Sequence, residues 1–414
     1  MRNIIKNEHG QVLIMLAIVL PVLLLCTGLA IDAGLLYVTK ARLSTAVDAA
    51  CLTGMKNLSL GRPTATQYAT WIFDANFGAN PPIPTITFPT DAYGDLQVKV
   101  AATAVVNTTF IRILPWFATV NVSDTAVSTR GKLVMSLVLD NSQSMSSDGG
   151  SSALLPAVSA FVKDFNDSTD EVGMTHFSTL ATLDYSVQTP FQVPITNAVN
   201  AMKFDAGLPE DSTTSPLGLT VAKTQEDSVI PQPGQNIIKV VVFFTDGMAN
   251  AIQQSLPCGG TATTMEFGGV DSSGNPLYFF DVTGKYLGTY NGNGPNLSCS
   301  GVSTFTAAAY GGIQKPITQS NVTAESIYDG EQIASAMRAE GIFIYSIGLG
   351  NGISAATRIF LQTVANDPAG PNYNSSQPAG LFLDVPDCPS STCTTELNIA
   401  FQTIASKVLL RLTQ

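Results

Sequence analysis

The chain passes through three hydrophobic patterns. Residues 12–30 form an uncharged apolar run, VLIMLAIVLPVLLLCTGLA. At about 1.5 Å per residue, this predicts a helix just able to cross a hydrocarbon core of about 30 Å. Near-helical spacing continues through Leu36, Val38, Leu43, Val47 and Cys51, so one unbroken helix is predicted to run past the membrane. Residues 61–131 read differently. A helical stretch, Ala65–Phe77, precedes a Pro-rich break and period-two strands at 96–100, 104–110 and 119–122. The apolar stretch IRILPWF lies between the last two strands. This segment is expected to be a small α+β spacer, and no constellation of acids, His or Cys appears in it.

From Lys132 the pattern alternates. Continuous apolar runs at Val134–Leu139, Val172–Phe177, Ile237–Phe244 and Ile342–Leu349 have the form of buried parallel strands, with a further strand at Gly380–Asp384. Helical patterns fall at Ser152–Phe165, Ser215–Gln225, Glu325–Glu340, Ala355–Ala365 and Glu396–Leu412. The expected class is α/β: a doubly wound, mostly parallel sheet behind an N-terminal transmembrane helix and the small spacer. The expected boundaries are 1–60, 61–131 and 132–414. A Gly/Asn/Ser/Thr-rich insertion occupies 251–323, and residues 276–290 read as a hairpin within it.

Ligands of such sheets bind beyond the carboxyl ends of the strands. The first apolar run ends in Asp140-Asn141-Ser142-Gln143-Ser144, and the third in Thr245-Asp246-Gly247. Thr213 and Thr214 lie on the loop before the helix at Ser215. Carboxylates and hydroxyls offer oxygen alone, which suits a hard divalent cation such as Mg²⁺. His176, within the second strand, reads as a structural residue.

Composition narrows the field. Lys+Arg number 20 and Asp+Glu 31, and charged residues make up 12%. Clustered bases are the footprint of nucleic-acid binding, so no nucleic-acid partner is expected. Residues 1–60 carry five bases and three acids, 61–131 four of each, and 132–414 eleven bases and twenty-four acids. The acidity therefore belongs to the domain with the oxygen cluster. Among the six cysteines, Cys258–Cys299 and Cys388–Cys393 are the preferred disulfides, implying an oxidising compartment; the alternative leaves all six reduced. Arg2 and Lys6 favour a cytoplasmic tail with the remainder outside. A cleaved signal peptide ending at Gly28-Leu29-Ala30 is the competing reading.

Residues 8–54 resemble the N-terminus of TadE/TadG-like (Flp/Tad) pilus-assembly proteins. The matching features are Gly10, Pro21, Ile31-Asp32-Ala33-Gly34 and Ala46-Val47-Asp48-Ala49-Ala50. Met15 departs from the Glu of peptidase-processed members, which points to a retained anchor. The pattern D-x-S-x-S, then T, then D-G resembles the metal-ion-dependent adhesion site (MIDAS) of von Willebrand factor type A (vWA) domains. That resemblance implies Asp140, Ser142, Ser144, Thr213 and Asp246 as metal site, with the aspartates as ligands or one step removed. The closing R-L-T-Q is also similar to TadG-like C-termini.

Together these imply a non-enzymatic pilus-assembly or adhesion component of a bacterial inner membrane, its C-terminal domain periplasmic or at the cell surface. A divalent cation would dock a carboxylate of another pilus or secretion component or of a surface ligand, with the insertion selecting the partner. Three alternatives stand beside it: a secreted vWA adhesin, a metal-free vWA domain, and a metal-dependent hydrolase using Asp140 and Asp246.

Overall fold

The computed structural model describes residues 9–58, 61–92, 94–113, 115–147, 149–204, 212–233, 235–268, 278–290, 295–297, 302–350, 353–386, 388 and 390–412. The chain divides into two compact units, residues 1–130 and 131–412.

In the first unit, helix α1 (His9–Lys56) is continuous through Pro21. Among the described residues it is the one helix long and apolar enough to cross a membrane. Its residues 14–27 are exposed, while its second half joins a core with α2 (Arg62–Phe77) and a sheet of order β1-β2-β3 (Thr85–Thr87, Gln97–Asn107, Thr119–Thr129). Strand β2 alternates strictly and turns Val98, Val100, Ala102 and Ala104 toward Leu43, Ala46, Val47, Ala50 and Cys51. The Ala-rich run of α1 is thus a packing seam. Small side chains let the helix approach the sheet, and a Cβ at Gly54 would lie 3.1 Å from Val98. Residues on both sides of position 60 share this core, so the end of α1 and the segment after it fold together.

The second unit is built on a six-stranded sheet of order β16-β15-β7-β4-β5-β6. Its strands are β4 (Lys132–Asp140), β5 (Glu171–Phe177), β6 (Ala181–Gln188), β7 (Ile237–Thr245), β15 (Phe343–Leu349) and β16 (Leu381–Val385). All neighbours are parallel except β5 and β6. The one-turn helix α3 (Ser144–Ser147) follows β4. One face carries α4 (Gly150–Phe161), α5 (Gln192–Ala201) and α9 (Cys393–Arg411) over Leu133, Met135, Leu137 and Leu139. The other carries α6 (Ser215–Ser228), α7 (Gln319–Ala339) and α8 (Ala355–Ala365) over Val138, Val241 and Phe243. With both faces covered, the central strands must be mainly apolar, as β4 and β7 are between their ends apart from Ser136 and Lys239.

The insertion forms two small antiparallel sheets. One joins β8 (Ala251–Cys258), β9 (Thr261–Gly268), β10 (Tyr278–Asp281), β11 (Tyr286–Tyr290) and β12 (Pro295–Leu297), and the other β13 (Thr304–Ala307) and β14 (Ile313–Pro316). Helix α7 begins at Gln319, earlier than the periodicity indicates, because Thr318 accepts from the Asn321 N–H and caps it. Cys388 and Cys393 are disulfide-bonded at the start of α9. Cys258 is disulfide-bonded too, and Cys299 lies outside the described residues.

Candidate functional site

The crossovers leaving β4 and β7 run to opposite faces of the sheet. That reversal opens a crevice at the carboxyl ends of these paired neighbours. Asp140 ends β4 and Asp246 follows β7, so both carboxylates stand at that edge. Asp140 is fully buried and held from two sides: the Ser142 N–H donates to Oδ1 at 2.7 Å and the Thr245 hydroxyl to Oδ2. Burial pushes its carboxyl up to about 6, against these hydrogen bonds.

Three hydroxyls converge beside the carboxylates. Ser142 Oγ and Ser144 Oγ lie 3.0 Å apart, and Ser144 donates to Asp246 Oδ1 at 2.7 Å. A Cβ added at Gly247 would lie 3.6 Å from Thr213 Oγ1 and 3.9 Å from Ser144 Oγ, so Thr213 faces the same point across the bare glycine. Backbone contacts hold the Thr213 loop. Its N–H donates to Asn250 Oδ1 at 2.7 Å, and its carbonyl accepts from the Asn250 N–H at 3.0 Å. The structure therefore brings together Asp140, Ser142, Ser144, Thr213 and Asp246. Thr214 points elsewhere: its hydroxyl donates to the Thr179 carbonyl at 2.9 Å and contacts Glu266 Oε1. Residues 205–211 of this loop lie outside the described residues.

Several supporting residues escape a sequence reading. Thr245, the last residue of β7, and Asn250, in the loop after it, orient the site, yet in the sequence they look like ordinary polar residues at a strand end. Glu266 is fully buried on β9, where burial drives its carboxyl well above the usual range. Its one signal is an acid between Met265 and Phe267 in an inward-facing run. Through Thr214 it ties the insertion to the Thr213 loop. His176 Nδ1 lies 2.8 Å from Asp184 on β6, and both line a small polar cleft with Asn141 and Lys203. Among the described residues, no three His, Cys, Asp or Glu side chains gather in a metal-binding group.

Family models match this chain twice. The first, putative Flp pilus-assembly TadE/G-like, covers residues 10–57. The second, von Willebrand factor type A domain, covers residues 135–258. The chain joins a TadE/G-like segment to a vWA domain. Solved structures similar to it include the vWF domain of the type V pili tip protein Mfa5 from Porphyromonas gingivalis, at 13% identity and TM-score 0.44, covering 69% of this chain and 97% of that one. The PilB minor pilin from Streptococcus sanguinis matches at 15% identity and TM-score 0.43, over 80% and 78% of the two chains. Proximal thread matrix protein 1 from the mussel byssus, with a zinc-occupied MIDAS motif, matches at 16% identity and TM-score 0.35 over 66% of this chain. This chain spans 46% of the byssus protein's length. No curated protein matches the sequence. In the vWA domain, the match begins within β4 and ends with β8, so it contains all five clustered residues.

Proposed function

We propose that the protein is a membrane-anchored, periplasm-facing pilus-assembly or adhesion component whose vWA domain binds a partner's carboxylate through a divalent cation, Mg²⁺ by donor chemistry. The observation that carries this is the convergence of Ser142, Ser144 and Thr213 hydroxyls beside Asp246 and Asp140 at one strand edge. The donors are all oxygen, and the three hydroxyls are neutral, so with the aspartates acting through hydrogen bonds a divalent cation keeps positive charge for a further anionic ligand. Asn141 Oδ1 and Ser212 Oγ are buried nearby without a hydrogen-bond partner among the described residues, so these loops carry more oxygen than their own donors satisfy. Ser142, Ser144 and Thr213 would hold the ion, with Asp140 and Asp246 as ligands or their hydrogen-bonded support. The ion supplies a charged contact for an acidic partner that the domain's own net negative charge disfavours.

Anchoring rests on the exposed apolar half of α1 together with the TadE/G-like match. Arg2 and Lys6 support a cytoplasmic N-terminus. The disulfide at Cys388–Cys393 supports an oxidising compartment for the vWA domain.

The test is capture of neighbouring proteins by the full-length chain, with and without EDTA, alongside the Ser142→Ala/Ser144→Ala variant. The same partner should be lost in both arms; identical partner sets would remove the cation from docking. A second expectation separates the two threonines. Thr213→Ala should weaken cation binding with little change in stability. Thr214→Ala should leave Glu266 and the Thr179 carbonyl without their hydroxyl and destabilise by about 1–3 kcal/mol. Calorimetric titration of cation and denaturant unfolding of each variant would check the division.

A further inference from the structure

Strands β2 and β3 are joined by a connection that turns back toward the apolar half of α1. It contains two single-turn 3₁₀ helices, Ile111–Ile113 and Pro115–Phe117. Asp32 of α1, 1% exposed, accepts the backbone N–H groups of Thr109 at 2.8 Å, Phe110 at 2.8 Å and Ile111 at 2.7 Å. The Phe110 ring then lies on Gly28, where a Cβ would come within 2.6 Å of it. Beyond that contact Phe110, Ile111 and Ile113 line an apolar groove with Pro21, Leu24, Leu25 and Leu29. Asp32 and Pro21 are eleven residues apart, about 16 Å of helix, so the tip runs back alongside the apolar segment. Its side chains are uncovered: Ile113 is 81% exposed, Trp116 76%, Phe110 47% and Phe117 45%. A short loop that displays four large apolar side chains in water is costly, and a contiguous patch of this kind marks a contact surface.

We propose that this β2–β3 connection enters the bilayer beside α1 as a second membrane contact, with lipid as its occupant. The proposal rests on the reading that α1 spans the membrane. If it does, Leu24, Leu25 and Leu29 lie among acyl chains, and the side chains packed against them share that depth. Backbone donors cannot be left open in hydrocarbon. Here Asp32 takes three of them, and the Ile113 N–H donates to the Phe110 carbonyl. Thr108 Oγ1 donates to the Phe117 carbonyl at 2.6 Å and closes the loop's base. Trp116 has the amphipathic ring favoured at the headgroup boundary, and the Arg112 stem is long enough to carry its charge there. Asp32 thus tethers the tip to the helix where the apolar segment ends.

Full-length protein carrying Trp71→Phe, with Trp116 as sole tryptophan, would be reconstituted into phosphatidylcholine vesicles with acyl chains brominated at shallow or deep positions. Trp116 emission should shift to the blue and be quenched most strongly by shallow bromines. A companion with Trp71→Phe, Trp116→Phe and Leu24→Trp reports on the helix. Quenching of the helix reporter without Trp116 overturns loop insertion and leaves the anchor standing; quenching of neither overturns the anchor as well. Adding Asp32→Ala should cut Trp116 quenching at least twofold and spare the helix reporter, whereas unchanged quenching refutes the tether. Disulfide-linked dimers formed through Ile113→Cys, in place of quenching, would assign the patch to a second copy of the chain.

Discussion

Replacing Ser142 and Ser144 together with alanine should abolish divalent-cation binding by the vWA domain and leave its fold intact. The fold is expected to survive because Asp140 keeps the Ser142 backbone N–H and the Thr245 hydroxyl, neither of which the substitutions remove. The strand core beneath, Leu137 and Leu139 on β4 and Phe244 on β7, is untouched. Cation binding is expected to fail because two of the three hydroxyls proposed to hold the ion disappear, and with them the bond that aims Asp246. Loss of a single residue that only orients a ligand already weakens metal sites by roughly 10–100-fold, and here the hydroxyls proposed as ligands go as well. In thermal unfolding of the full-length protein, wild type should gain stability with added Mg²⁺ by about 2.7 kcal/mol at a hundredfold excess over its dissociation constant, and EDTA should reverse the gain. The double variant should melt at the same temperature in both conditions. An equal Mg²⁺ shift in variant and wild type would place the cation elsewhere.

How much of this is legible in the sequence follows from where the determining contacts lie. β4 and β7 announce themselves because a strand covered on both faces has no polar side. The site aspartates can be found because they terminate those runs. Edge elements give weaker signals. β6 is half exposed, with Leu183 outward and Asp184 turned to His176, so ATLDYSVQ shows no clean alternation. α5 carries Pro194 in its first turn, where a helix tolerates it but the residue itself reads as a break. The insertion's strands are set in Gly/Asn/Ser/Thr-rich sequence and carry Gln, Ser and Thr in place of a regular apolar alternation, so outside residues 276–290 they read as loop. The choice between Thr213 and Thr214 cannot be made locally, because it depends on Glu266, 52 residues away from Thr214. The Asp32 motif is visible, but its role lies in backbone groups 77 to 79 residues later. Lys40 likewise reads as a flanking charge, and it pairs with Asp124 on β3.

A buried acid away from the site gives the second large effect. Glu226 on α6 is wholly enclosed, accepts from Ser136 Oγ at 2.8 Å, and has its carboxyl pushed up to about 8 from 4.5 by burial. The native state therefore keeps a proton that the unfolded chain releases between about pH 4.5 and 8. Stability from this group is complete below about pH 4.5 and declines as pH rises to about 8, the unfolded state binding fewer protons throughout that window. At about 1.4 kcal/mol per unit, the decline is on the order of 3–5 kcal/mol. Glu226→Gln keeps an acceptor for Ser136 and cannot ionise. It should differ from wild type by a constant offset at low pH and overtake it progressively toward pH 8.5. The tryptophans, Trp71 and Trp116, both lie in the first unit, so hydrogen exchange of the β4 and β7 amides is the suitable readout. A pH-independent difference would mean that Glu226 is ionised in the fold and balanced by Lys239, whose ammonium already donates to the Glu226 backbone carbonyl.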